Sequence, residues 1–469
     1  MALSPDTRIL VAIANHGTKN RRFLDHLLAV YRSFPAKVDI VVLSDQPKDL
    51  GPDIEVRVGA PIANPWSLPF GHKKLFVERA GDYDLFIYSE DDTEITEAHV
   101  DAFLKATVDL PDDKIAGFLR HEIGPDGTRY CSTIHGPYYW DPASVMEAGG
   151  QTFARYTNDH SASYILTAAQ LERCIASGGF DVPPHEGLYD MLCSAATDPY
   201  VRCGLTKLVC VSDLDAFSLR HLPDIYLGRI GMVQAELDIL LGRLLEMPRS
   251  EIAGERLLET HTGLGTILLD KNHDEPLRPE VLTALEAKPG TVLSVGCEAG
   301  ATEGALVAAG IPVTSVPIDK VISALAEAKG VLPTNDAAGK GDSYDYLLFN
   351  NVVHYADDPE NFMRSYLHLL KPGGRILITY TNGSAISFRR RLGRLFGRPA
   401  MLSPRKYLMA GHYHYADNRV VKQWLRAVDA VPEKTLFHVP ARHAARSKQA
   451  QGLADKFLAE AATIIATVR

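Results

Sequence analysis

Tyr83-Asp84-Leu85-Phe86-Ile87-Tyr88-Ser89-Glu90-Asp91-Asp92-Thr93-Glu94-Ile95-Thr96 is the stretch that decides how the first half of the chain is read. Leu85, Phe86, Ile87 and Tyr88 form a short apolar run bounded by charge, the pattern of a buried strand. That strand runs directly into three carboxylates. Buried charge without a partner is very costly, so Glu90, Asp91 and Asp92 must face water, a cation or a metal. Hard divalent ions such as Mg²⁺ or Mn²⁺ accept one or two carboxylates and take their remaining oxygens from phosphate and water. A metal site on a nucleotide diphosphate is one reading, and an acidic surface turn is the other.

Upstream, Ile9 to Ala14 is an apolar run ending in Asn15, His16 and Gly17. Phe23, Leu27, Val30, Tyr31 and Phe34 follow at helical spacing, and Ile40 to Leu43 returns as a strand ending in Ser44 and Asp45. This is a β-α-β unit of a parallel sheet. Ligands of such sheets lie beyond the carboxyl ends of the strands, so Asn15, Asp45 and the Glu90 cluster are expected at one edge. That convergence favours the metal reading. Lys73 and Lys74, just ahead of the acidic strand, are placed to contact phosphate, although exposed helix lysines are common. From Ile115 to Ser163 the chain is rich in Tyr, Trp, Gly, Pro and His, including Tyr130, His135, Tyr138, Tyr139, Trp140 and Tyr156. Aromatic faces interleaved with polar groups suit sugar rings, and they equally suit an irregular core.

The strand followed by Glu90-x-Asp92 and Thr93-Glu94-Ile95-Thr96 resembles the metal motif of GT-A glycosyltransferases, over roughly residues 8 to 230. The resemblance implies a nucleotide-sugar donor held through Glu90 and Asp92, with Asn15 and Asp45 near the nucleoside and a glycan or lipid-linked saccharide as acceptor. It also implies a catalytic base near the start of the helix expected from Pro183 onward. Glu186 is the first choice and Asp190 the second, since a Glu-Asp dipeptide is missing there. His221, after the strand Leu205 to Ser212, matches by order a further metal ligand; a lone histidine is otherwise most often structural.

A second signature begins at Thr291. Thr291-Val292-Leu293-Ser294-Val295-Gly296-Cys297-Glu298-Ala299-Gly300 is a buried strand leading into a glycine loop, where glycines permit close approach of a ligand. Strands Pro312 to Val316 and Tyr344 to Asn351 follow. Leu370-Lys371-Pro372-Gly373-Gly374 then turns into a third, Arg375 to Ile378. This region resembles class I S-adenosylmethionine-dependent methyltransferases over about 285 to 430. The resemblance implies a cofactor site including Gly296, Glu298, Gly300, Asp319, Asp336 and Asn350, with Asp336 against the adenine. The departures lie in the same places: Ser294 replaces the first-strand acid, Glu298 the central glycine and Pro317 the ribose-binding acid, with Asp319 as its substitute. Weak or absent cofactor binding is the expectation.

The whole chain therefore reads as α/β: a GT-A-type domain over 1–232, a connector over 233–275 punctuated by proline, and a Rossmann-like methyltransferase domain over 276–469. Four hundred and sixty-nine residues suit two or three domains. A net charge of −9 argues against a nucleic-acid partner. Six cysteines without paired spacing imply reduced thiols, and the lack of a signal-like start or a bilayer-length apolar run implies a cytoplasmic protein. The basic, partly apolar stretch 388–398 suits an anionic membrane surface or a phosphate-bearing acceptor, and suits better a solvated helix or a lid over the second cleft. Leu458 to Val468 is expected to be a closing helix. Rival readings make the second domain a non-catalytic binding module, favoured by its three departures, or the first domain a nucleotidyltransferase, for which Asn15-His16-Gly17-Thr18 is a poor phosphate loop.

Overall fold

A computed structural model describes residues 3–131, 139–227, 231–247, 261–262, 265–266, 276–334, 343–385, 414–438, 459 and 461–468. The chain divides into two compact units, Met1–Ile252 and Ala253–Arg469. Each is treated separately.

The first unit opens with β1 (Arg8–Asn15), buried at every residue but the first. α1 (Arg21–Arg32) buries Leu24, Leu27, Leu28 and Tyr31, the one-faced spacing of a helix laid on a sheet. β2 (Lys37–Ser44), β3 (Ile54–Val58), α2 (Gly71–Glu78) and β4 (Leu85–Glu90) follow, then β5 (Thr93–Glu94) and α3 (Glu97–Asp109). After β6 (Lys114–Ala116), β7 (Leu119–Ile123), β8 (Arg129–Cys131), β9 (Trp140–Ala148) and β10 (Gln151–Tyr156) comes β11 (Ser163–Thr167). The unit ends with α4 (Ala168–Ala176), α5 (Met191–Val201), β12 (Thr206–Cys210), β13 (Ser218–His221), β14 (Met232–Val233) and α6 (Gln234–Glu246).

Its main sheet has the order β11-β4-β1-β2-β3, parallel except for β11, which is antiparallel to β4. Register sets Asn15 beside Ser44 and Ala14 beside Glu90, so the polar ends of β1, β2 and β4 lie flush at one edge. A second sheet, β14-β8-β7-β13-β5, and a third, β6-β12-β10-β9, complete the unit. Two expectations are corrected. The helix near Pro183 begins only at Met191, where the Asp190 side chain supplies the N-cap; the two prolines keep the preceding segment out of helical geometry. α6, read as part of a connector, belongs to the first unit, with Leu237, Leu240, Leu241 and Leu244 buried where it packs on β8 and β9.

The second unit begins with a small hairpin, β15 (His261–Thr262) and β16 (Gly265–Thr266). α7 (Pro279–Glu286), β17 (Val292–Cys297), α8 (Ala301–Ala308), β18 (Val313–Pro317), α9 (Ser323–Glu327), β19 (Leu332–Pro333) and β20 (Tyr344–Phe349) follow. α10 (Pro359–Leu367), β21 (Leu370–Thr381), α11 (Asn418–Ala427), β22 (Ala430–His438) and β23 (Ala461–Val468) complete it. One seven-stranded sheet has the order β19-β18-β17-β20-β21-β23-β22, with β23 antiparallel to both neighbours. The expected closing helix is therefore wrong. Ala461–Val468 inserts between β21 and β22 and is buried along most of its length, so pairing on both sides overrides a short apolar run that periodicity cannot assign.

All six cysteines are buried and none is in a disulfide. No helix among the described residues is long and apolar enough to cross a membrane. Asp336, the basic stretch 388–398, His135 and Tyr138 lie outside the described residues.

Candidate functional site

In the first unit the strand ends form a connected polar cluster. Asn15 donates its amide to Asp91, and Asn20, at the start of α1, donates to Asp91 Oδ1 at 2.7 Å and to Asp92 Oδ2 at 3.2 Å. Lys48 Nζ donates to the Asn15 carbonyl at 3.0 Å and stands 3.8 Å from Asp45, whose Oδ1 accepts the Gly17 amide at 2.8 Å. Asn15, Asp45 and the acidic run therefore share one edge, as their positions after parallel strands imply.

The second sheet brings in what the primary order keeps apart. β13 pairs with β5 so that His221 lies beside Thr93, and Leu222 N donates to the Asp92 carbonyl at 2.9 Å. His221 Nε2 faces Asp92 Oδ2 at 3.7 Å. On its other side β13 runs parallel to β7, and His221 Nδ1 meets Glu122 Oε1 at 2.6 Å, with both side chains buried. Asp92 Oδ1 is buried without a hydrogen-bond partner.

This concentration of carboxylates perturbs protonation. Burial and then the Asp92 charge push Glu90 up from 4.5 to about 8, with Asp91 and Asp190 adding and Arg120 partly offsetting. Burial and then Asp92 push Asp91 up to about 6, against the Asn20 and Asn15 amides. Repulsion of this kind, held in place by a folded scaffold, is characteristic of a site that binds a cation or a proton. Among the described residues no group of three or more His, Cys, Asp or Glu side chains has the geometry of a metal centre. The set Glu90, Asp92 and His221 is thus not assembled as a three-ligand site, because Glu90 ends its strand on the way to a turn while Asp92 faces His221.

Asp190 and Glu186 separate. Asp190 Oδ1 caps α5 by accepting Cys193 N at 2.9 Å, and its charge reaches Glu90. Glu186 is exposed in the preceding loop. Lys73 is a correction: it is buried, paired with Asp198 and set 4.3 Å over the Phe70 ring, so its charge serves the interior and not a phosphate. His185 Nε2 reaches the same carboxylate at 3.2 Å. Of the aromatic stretch, Trp140 and Tyr156 pack 4.9 Å apart in the core and offer no open sugar platform. Sequence reasoning missed Asn20, Lys48 and Glu122. A buried strand, Leu119–Ile123, carrying an acid was the available signal for the last.

In the second unit, the loop after β17 has Gly296 at φ +95° and Gly300 at φ +69°. A Cβ on Gly296 would lie 2.5 Å from Val352 Cβ, and one on Gly300 2.5 Å from Ala326 Cβ. Both glycines are therefore required by close packing of the chain itself. Asp319 Oδ1 accepts Val321 N at 2.8 Å and Ile322 N at 2.9 Å, capping the following turn. Asn350 donates to Glu303 Oε1 at 3.0 Å and accepts Thr379 Oγ1 at 2.9 Å; Ser294 Oγ donates to the same Glu303 oxygen at 2.6 Å. Glu298 is buried. Lys371, which the sequence places in a turn, lies inside β21 where its register with β20 shifts, and pairs with Asp345 at 2.9 Å.

A family model described as a methyltransferase domain matches residues 269–433, from ahead of α7 into β22. That region is a methyltransferase domain, and its mostly parallel sheet with intervening helices is Rossmann-like. No curated protein matches the chain. Among solved structures, an S-adenosylmethionine-dependent methyltransferase from Mesorhizobium loti is 19% identical and covers 42% of this chain and 100% of its own, with a TM-score of 0.32. Magnesium protoporphyrin IX methyltransferase from Synechocystis, solved with S-adenosylhomocysteine, is 16% identical over 41% of this chain and 81% of its own, with a TM-score of 0.29. The 1,6-didemethyltoxoflavin-N1-methyltransferase of Burkholderia thailandensis is 19% identical over 42% and 79%, also with a TM-score of 0.29.

Proposed function

We propose that the first unit is a glycosyltransferase of GT-A type, moving a sugar from a nucleotide-sugar donor to a glycan or lipid-linked saccharide with the help of Mg²⁺ or Mn²⁺. The observation that carries this reading is Asp92, with one buried oxygen unpartnered and the other 3.7 Å from His221 Nε2, at the carboxyl edge of a parallel sheet. Two protein donors suffice for a hard cation that draws its other oxygens from diphosphate and water. Such an ion would neutralise charge on the departing diphosphate. Asn15 and Asn20 hold Asp91 in place, and Lys48 and Asp45 border the nucleoside side of the edge. Asp190 is the base in this reading, taking the acceptor hydroxyl proton; its second oxygen serves while the first caps α5. Glu186 is the weaker candidate.

The second unit, in the same reading, uses S-adenosylmethionine to methylate an oxygen of the glycan. A binding module that has lost the cofactor is the competing account, favoured by Asp319 and Asn350 being engaged within the protein. Two measurements on the full chain test the pair. Nucleotide sugars should raise the melting temperature only with Mn²⁺ present, and a shift without metal dependence would discard the metal reading. Calorimetric titration with S-adenosylmethionine decides the second unit: a micromolar or tighter dissociation constant selects the methyltransferase, and no heat at millimolar cofactor selects the binding module.

A further inference from the structure

We infer that Glu122 is a positioning residue that locks His221 in the tautomer protonated on Nδ1, leaving Nε2 as an open lone pair beside Asp92. The inference rests on the metal-dependent reading only for its purpose; the geometry stands on its own. Glu122 is 1% exposed, and both its oxygens are occupied: Oε1 by His221 Nδ1 at 2.6 Å and Oε2 by the backbone amide of Tyr226 at 2.9 Å. An ionised carboxylate only accepts, so Nδ1 must donate, and in the neutral ring Nε2 is then an acceptor. Tyr226 stacks on the imidazole at 5.5 Å and 17°, which resists a flip of the ring.

The acceptor so created faces another acceptor. Nε2 and Asp92 Oδ2 stand 3.7 Å apart, too far for a hydrogen bond, and Asp92 Oδ1 is buried without a partner. Asp92 Oδ2 also accepts from Asn20 Nδ2 at 3.2 Å, and the lone pair it keeps toward Nε2 opposes the ring nitrogen in a way that a shared cation would relieve. A ring nitrogen and a carboxylate oxygen sharing one ion through bonds near ~2.1 Å would lie about 3–4 Å apart, which spans the observed gap. A carboxylate on the far ring nitrogen also raises the basicity of the ligating one and fixes its direction. Glu122 lies on β7, His221 on β13 and Asp92 just before β5, so the pairing of these strands, not local sequence, sets the arrangement.

The test uses the intact protein in two ways. Long-range ¹H–¹⁵N spectra of the imidazoles, with His221 identified by its loss in His221→Asn, should show a ring protonated on Nδ1 alone. Glu122→Gln should mix or reverse that tautomer, because the amide can donate as well as accept. The same variant should weaken Mn²⁺ binding, read by the signal of free Mn²⁺ in paramagnetic resonance, roughly 10–100-fold with an unchanged melting temperature. Should Glu122→Gln fail to fold, the protonation of His221 in the wild-type spectrum decides the inference alone. A wild-type ring protonated on Nε2 or on both nitrogens, or Glu122→Gln that binds Mn²⁺ like the wild type, overturns the inference. Absence of Mn²⁺ binding by the wild type, even with a nucleoside diphosphate, would instead sink the metal-dependent reading while the spectrum still decides the tautomer.

Discussion

The two units carry polar residues at the carboxyl edges of parallel sheets, and they treat them in opposite ways. In the first unit Glu90, Asp91 and Asp92 are crowded together, two with raised pKa values and the third with an unpartnered oxygen. In the second, Asp319 caps a turn and Asn350 is tied to Glu303 and Thr379. Polar groups satisfied inside the fold stabilise it, whereas groups kept in mutual repulsion lower stability and are retained where a ligand relieves them. The contrast separates polar residues satisfied within the fold from polar residues left in mutual repulsion.

The largest expected effect tests the base. Asp190→Asn keeps the helix cap, since Asn caps as well as Asp, but should lower sugar transfer roughly 10²–10⁴-fold. Glu186→Gln should leave transfer near the wild-type rate. Product formation from a saturating donor decides between them, and the reverse pattern would restore Glu186. Next in size, Asp92→Asn should reduce nucleotide affinity in Mn²⁺ by roughly 10²-fold, because a neutral amide keeps the shape and loses the charge a hard cation requires. It should also lower the Glu90 pKa by removing a neighbouring charge. Unchanged affinity in a calorimetric titration would remove the distinction between the two edges.

A smaller effect follows from protonation. Glu90 at about 8 and Asp91 at about 6 both lie above their ordinary values of 4.5 and 3.8. The folded state therefore binds more protons than the unfolded one across this window, and this contribution to stability is full below about pH 4 and lost as pH rises through 6 and then 8. Divalent metal should restore it, so the rise in melting temperature on adding Mn²⁺ should be greater at pH 8 than at pH 5. Equal shifts at both pH values would show that the cluster is not where the ion binds. The smallest effect belongs to the second unit. Asp345 is held down at about 2 by the Lys371 ammonium, with Thr291 contributing. Its stabilisation is present above the ordinary carboxylate range and lost as pH falls through about 2. Lys371→Met should cost no more than about 1 kcal/mol in urea unfolding at pH 7, because the pair is half exposed, and the cost should vanish in acid.

Legibility followed the range of the interactions. The Leu85–Glu90 strand and its acidic continuation could be read because burial and charge alternate within a few residues. Asn15 and Asp45 were found by position alone, since any polar residue closing a strand of a parallel sheet lies at the edge. Lys73 was misread because an amphipathic helix turn looks the same whether its lysine meets water or Asp198, 125 positions away. Glu186 lies in a loop and not on a helix because the proline pair delayed the helix to Met191, which put Asp190 at the cap.

By itself the sequence determined the opening β-α-β unit, the α/β class of both halves, the methyltransferase character from the glycine loop and the Lys371-Pro372-Gly373-Gly374 segment, and the acidic strand end. These depend on contacts between near neighbours, where periodicity and turn chemistry act. Tertiary structure decided which of the polar residues met. It set His221 between Glu122 and Asp92 through two strand pairings, left an Asp92 oxygen unpartnered, buried Lys73, and inserted Ala461–Val468 as a strand between β21 and β22. Side chains about a hundred positions apart meet only once sheet register is set, and register depends on burial of whole faces, which no local stretch encodes.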